Sequence, residues 1–226
     1  YAYTVSESVA GQYEKDYGIK LKVVRNTPMR TDSLLQSNDN VFPTEKTILL
    51  LQGSGINKDR GAEELIESMQ LLPDNFLLAL IGGGEIWDDL KKLCRGLRLE
   101  NKVMFIEKVP HDELKKYTVH AYLGLSLDKP TNLNYKLSLP NKIFDYIHAG
   151  VPVIASDIKE VKKILDTYQV GTTIDEVTPQ AIATAVISVF ENKQQYETWK
   201  QNTTKAAEEL CWQKEQLILK KIFDVM

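Results

Sequence analysis

Four short segments carry residues whose types and spacing suit binding of a small anionic molecule. The first is Gly53-Ser54-Gly55-Ile56-Asn57-Lys58-Asp59-Arg60-Gly61. Glycines let backbone N–H groups approach a phosphate, and Lys58 and Arg60 add positive charge. The Gly-Lys-Ser/Thr ending of a Walker loop is absent, as is the Gly-x-Gly-x-x-Gly of a dinucleotide fingerprint. A tight turn with two solvated cations is the alternative. The second segment is Gly82-Gly83-Gly84-Glu85, where the glycines suggest close approach to a ligand or to a neighbouring strand. The third, Ile106-Glu107-Lys108-Val109-Pro110, could line an apolar slot for a flat base, or simply join a strand to a short helix.

The fourth segment, Leu137 to Ser156, is the most informative. Ser138 or Asn141 can cap a helix, and Pro140 suits its start. The helix N-terminus then points at an anion. Lys142 and Asp145 share a face of that helix. A carboxylate at Asp145 can accept hydrogen bonds from a ribose diol. The alternative is a surface ion pair worth under about 1 kcal/mol. His111, His120 and His148 form no metal-ligand spacing and read as surface or packing residues. Cys94 and Cys211 are isolated thiols, better suited to a reducing cytoplasm than to a disulfide framework.

The elements that must position these loops alternate strand and helix. Apolar runs at Thr47–Gln52, Phe76–Ile81, Lys102–Ile106, Ala121–Leu127, Pro152–Ala155 and Val170–Ile174 predict strands. Helical spacing is read over Glu63–Leu72, Glu85–Leu97, His111–Tyr117, Asn141–His148, Ile158–Asp166 (with Asp157 as N-cap) and Pro179–Phe190. Continuous apolar strands in this order predict an α/β, Rossmann-like doubly wound parallel sheet that binds ligands at the carboxyl ends of its strands. Residues 47–192 form that domain. Residues 1–30 read as the remnant of a preceding domain, with Ser6 capping a helix over Glu7–Tyr17 between strands at Tyr1–Val5 and Leu21–Arg25. Extra strands on the main sheet are the alternative. Residues 31–46 read as a linker with a loop tip at Ser37–Asn40, and residues 193–226 as two C-terminal helices.

The 226 residues are 43% hydrophobic and 26% charged, with a formal net charge of -3. That balance describes an ordinary globular chain, with no basic stripe for nucleic acid. The longest apolar runs are of strand length, and no signal peptide is visible. The start at Tyr1, inside an expected strand, reads as a fragment of something longer.

The segment Phe144–Ser156, with Arg60-Gly61 and Gly82-Gly83-Gly84, resembles the retaining GT-B glycosyltransferases that build bacterial polysaccharides and glycolipids. The stretches Thr4–Ser8, Tyr17-Gly18 and Val23–Asn26 resemble the last strand, helix and hinge of that family's first domain. The resemblance implies the C-terminal, donor-binding half of a GT-B fold. It implies a nucleotide-diphosphate sugar as donor substrate and no further cofactor. Transfer proceeds with retention and without a metal, to an acceptor saccharide or lipid-linked sugar held by the N-terminal domain. A cytoplasmic location with peripheral membrane association of the full-length protein follows, and this chain alone should bind donor weakly and transfer no sugar.

By the same resemblance, Arg60 contacts the diphosphate and Asp145 the ribose hydroxyls. Gly53 and Gly82–Gly84 line the cleft, and Ile106 to Val109 flank the base. Three departures stand out. Leu137 occupies the position of the family's first acid, the second is shortened to Asp145, and Ser54 replaces an arginine. Lys58 or Lys142 then supplies the missing charge. A nucleotide-sugar-binding pseudoenzyme and a GT-B-like sugar-nucleotide epimerase are the alternatives.

Overall fold

The computed structural model describes residues 2–30 and 41–223. Two strands, β1 (Tyr3–Thr4) and β2 (Lys22–Val23), flank helix α1 (Glu7–Tyr17) and pair in parallel as a small separate sheet. The main sheet contains β3 (Thr47–Gly53), β4 (Phe76–Gly82), β5 (Val103–Glu107), β6 (Leu123–Ser126), β7 (Val153–Ser156) and β8 (Gly171–Ile174). Its order is β5-β4-β3-β6-β7-β8, every neighbouring pair parallel. Chain direction across the sheet reverses between β3 and β6, which is where an open α/β sheet leaves a crevice at its carboxyl edge.

Alternation along the strands builds two cores. Leu49, Leu51, Leu78 and Leu80 face one side, against α2 (Ala62–Ser68), α3 (Trp87–Gly96) and α8 (Pro179–Glu191). Ile48, Leu50, Leu77, Ala79 and Ile81 face the other, against α6 (Lys142–His148), α7 (Lys159–Tyr168) and α9 (Lys193–Glu209). Because both faces are covered, these strands are apolar throughout rather than alternating with polar residues. The remaining helices are α4 (His111–Thr118), α5 (Leu133–Lys136) and α10 (Trp212–Phe223).

Several boundaries differ from expectation. Helix α2 stops at Ser68 instead of Leu72, because Met69 and Gln70 donate to Ile66 and Glu67 in tightened turns ahead of Pro73. Asp157 does not cap α7. The cap position is Ile158, and the Asp157 carboxylate pairs instead with Lys162 Nζ at 2.8 Å. Helix α5 was not anticipated; Asn132 caps it by accepting from the Tyr135 N–H at 2.9 Å. Of the linker expected over 31–46, residues 31–40, with the Ser37–Asn40 tip, lie outside the described residues.

The first segment is fastened by two buried carboxylates. Glu160 of α7 accepts from the Ser8 N–H and hydroxyl at 2.8 and 2.5 Å. Glu215 of α10 accepts from the Arg25 N–H at 2.8 Å and from its guanidinium at 3.1 Å. Helix α9 packs on the main domain, whereas α10 returns to the first segment. Among the described residues no helix is long and apolar enough to cross a membrane, and no cluster of three or more His, Cys, Asp or Glu is arranged to hold a metal ion. Cys94 and Cys211 are both free and buried.

Candidate functional site

The crevice between β3 and β6 opens into a cleft of about 510 Å³, within the range of small-molecule sites. Its floor is built by Tyr146. Strands β3 and β6 pair only at Leu49–Leu123 and Leu50–Gly124 and then diverge. The fully buried Tyr146 hydroxyl sits where they part, accepting from the Gln52 N–H at 3.2 Å. The same hydroxyl lies 3.1 Å from the Leu50 carbonyl and 3.2 Å from that of Leu125, to which it donates. The ring rests on Gly124, where an added Cβ would come within 2.4 Å of it.

One wall carries charge. Arg60, in the loop after β3, places Nη1 3.2 Å from Asp128 Oδ1. Lys142, at the start of α6, lies 3.9 Å from the same oxygen. The Asp128 side chain is fully buried and that of Lys142 only 12% exposed. The Arg60 guanidinium also lies 4.9 Å from the centre of the Tyr135 ring, a cation–π arrangement. Burial pushes the Lys142 ammonium down from its ordinary value, Asp128 opposes that shift, and Arg60 adds to it. Arg60 Nε and Asp128 Oδ2 are buried without hydrogen-bond partners, and each such group costs about 1–3 kcal/mol. Asp128 is anchored through its own carbonyl, which accepts from the Ser156 hydroxyl at 2.6 Å.

Asp145, three residues along α6 from Lys142, also lines the cleft. Its carboxylate accepts from Gln52 Nε2 at 3.3 Å, and Gln52 Oε1 accepts from the Thr118 hydroxyl at 2.8 Å. The same Thr118 hydroxyl lies 2.9 Å from the Leu114 carbonyl, and the amide is held between the threonine and the acid. Burial holds the Asp145 carboxyl above the usual carboxylate range; His111, the Gln52 hydrogen bond and Lys115 partly offset it. His111, Leu114, Lys108 and Val109 line the same cleft.

Of the residues singled out from sequence, Gly53, Ser54, Arg60, Gly82, Val109, Pro140, Asn141, Lys142 and Asp145 line the cleft together. Lys58 is exposed and does not line it; its N–H donates to Glu85 Oε1 at 3.3 Å. Ile106 packs against the core. Ser138 donates to the Tyr135 carbonyl at 2.9 Å instead of capping α6, and Asn141 makes no side-chain cap either. Helix α6 is seven residues long, and Lys142 and Asp145 are its residues that line the cleft.

The triple glycine serves loop–loop packing. The Gly83 carbonyl accepts from the Ile56 N–H at 2.7 Å. Gly84 has φ +154, and a Cβ there would fall 2.3 Å from the Ile56 carbonyl oxygen. The expected close approach to a neighbouring strand is met at Gly82, where a Cβ would fall 1.8 Å from the Gly53 carbonyl oxygen of β3.

Asp128, Gln52, Thr118 and His111 were missed. Asp128 had one legible signal: it directly follows an apolar strand whose carboxyl end faces the crevice. His148 Nε2 lies 2.8 Å from the Leu210 carbonyl, whereas His120 Nε2 is buried without a hydrogen-bond partner.

Comparison with known proteins adds family and fold. A family model described as glycosyl transferases group 1 matches residues 34–206. No curated protein matches the chain by sequence. Among solved structures, sucrose-phosphate synthase from Thermosynechococcus elongatus is similar with TM-score 0.78 and 18% identity over 98% of this chain and 57% of that one. Anabaena HepE, solved in complex with UDP-glucose, is similar with TM-score 0.79 and 15% identity over 100% of this chain and 64% of that one. WaaG, a glycosyltransferase involved in lipopolysaccharide biosynthesis, gives TM-score 0.72 and 15% identity over 96% and 62%. The chain thus spans less than two thirds of the length of each.

Proposed function

Because the chain belongs to the group 1 glycosyl transferases, with a GT-B sheet and helices, we propose that its cleft binds the nucleoside diphosphate of a nucleotide-sugar donor. The observation that carries this reading is the set of charges gathered in one cleft. Two cations, Arg60 and Lys142, line it together with one carboxylate, Asp145. Arg60 and Lys142 suit a diphosphate. Asp145, oriented by Gln52, suits the ribose hydroxyls. Lys108, Val109 and Leu114 bound the space left for the base. A similar protein solved with UDP-glucose makes uridine the first base to test.

In the assembled enzyme, the sugar passes to an acceptor saccharide or lipid-linked sugar with retention of anomeric configuration. Arg60 and Lys142 stabilise the leaving diphosphate, a role fixed cations perform without reorganising at the moment of reaction. Acceptor binding falls to parts of a two-domain enzyme beyond these 226 residues, and polysaccharide or glycolipid synthesis is the matching context. Calorimetric titration of the chain with UDP, GDP and ADP tests the donor reading. Micromolar to millimolar binding of one of them is expected, and no binding of any refutes it. A second reading, a donor-binding protein without transfer, is favoured by Leu137, which is half-buried and offers no carboxylate. A transfer assay on a protein that includes the acceptor domain separates the two.

A further inference from the structure

Asp128 is the one fully buried carboxylate at the cleft wall among the described residues, and nothing in the donor reading uses it directly. It does not line the cleft. It lies behind the two cations, and both approach a single one of its oxygens. Arg60 spends one N–H on it, and Lys142 stands at 3.9 Å, beyond a normal hydrogen bond. The other oxygen, Oδ2, has no partner, and neither has Arg60 Nε. An ion pair built for stability would close those two orphans against each other as a bidentate fork. This one leaves the remaining donors of both cations unspent, next to an open cleft.

We propose that Asp128 is the positioning residue of the diphosphate subsite, holding Arg60 and Lys142 side by side with their free donors turned to the ligand. The inference rests on the reading of those two residues as diphosphate ligands. A carboxylate behind an anion site should weaken it by repulsion, so the opposing effects must be weighed. Lys142 is deeply desolvated beside a guanidinium; both circumstances favour loss of its proton, and Asp128 is the group that opposes them. Asp128 and Arg60 are the titratable groups that act on Lys142, in opposite directions. Replacing Asp128 by asparagine removes a negative charge and, with it, the group that opposes the downward shift of Lys142. Lys142 then holds its proton less tightly, and Arg60 loses its anchor. Loss of donors and of alignment outweighs relief of repulsion.

The test compares UDP with uridine, which lacks phosphates. Asp128→Asn is expected to weaken UDP binding about tenfold at neutral pH and to leave uridine binding unchanged. The loss should shrink as pH is lowered, which favours the Lys142 ammonium. UDP binding equal to or tighter than that of the parent at every pH overturns the proposal. So does an equal loss for UDP and uridine, which would mark a purely structural role. Arg60→Ala and Lys142→Ala serve as controls. If neither weakens UDP binding, the diphosphate reading itself falls. If both do and Asp128→Asn does not, only the role of Asp128 is refuted. Should Asp128→Asn fail to fold, Asp128→Glu takes its place: it keeps the charge but displaces the oxygen that both cations approach, so weaker UDP binding with unchanged uridine binding is expected, and an equal loss for both, or no loss, overturns the proposal.

Discussion

Asp145 sits where a carboxylate is expensive to ionise. Burial raises its pKa, and His111, Gln52 and Lys115 recover only part of the cost. Its proton is held more tightly in the folded chain than in the unfolded one. The group therefore favours folding below its unfolded value and gives that stability up as pH rises through its raised folded value. For a ligand that needs the carboxylate as acceptor the dependence reverses. We expect UDP affinity to be full above the raised value and to fall as pH drops through it, with Asp145→Asn flattening the profile in calorimetry. The same variant should abolish discrimination between UDP and 2′-deoxy-UDP, a loss of about 1–3 kcal/mol; a preserved preference would remove Asp145 from the ribose site. Arg60, Lys142 and Asp145 were legible because each lies in a loop or helix start beside a recognisable strand end. Gln52 was not: it sits inside an apolar strand, and only the Thr118 hydroxyl and the Asp145 carboxylate, far along the chain, reveal why a buried amide is tolerated there.

The joint between β3 and β6 depends on one helix, α6. The Tyr146 hydroxyl supplies the hydrogen bonds that the diverging strands no longer make to each other. Tyr146→Phe leaves the Gln52 N–H and two carbonyls to find other partners, and should cost about 1–3 kcal/mol in urea denaturation. An unchanged midpoint would mean that solvent replaces the hydroxyl. Gly124→Ala should cost at least about as much, since its Cβ would overlap the Tyr146 ring. The strands themselves were readable from sequence, as unbroken aliphatic runs have few other homes than a doubly covered sheet. Helix starts were less so. Ser138 and Asp157 are good capping types, yet one bonds back to Tyr135 and the other pairs with Lys162. Helix α5 spans only four residues and has no apolar period to betray it.

At the scale of the whole molecule, two buried carboxylates hold residues 2–25, Glu160 tying them to the sheet domain and Glu215 tying them to α10. Glu215→Ala should raise amide hydrogen exchange across β1, α1 and β2 while β3 and β4 keep their protection. Uniform loss of protection would show instead that the two parts unfold together. The helical spacing of the last thirty residues was legible, but the destination of α10 was not, because the partner of Glu215 lies at Arg25, at the far side of the sequence. That pairing, together with the Trp212 N–H donating to the Pro28 carbonyl at 2.9 Å, makes α10 the buckle of a belt. The sheet domain is threaded between a segment that precedes it and a helix that follows it, and these two are fastened to one another. Swinging the first segment aside would have to carry α10 with it or strip the buried Glu215 carboxylate of its Arg25 partner.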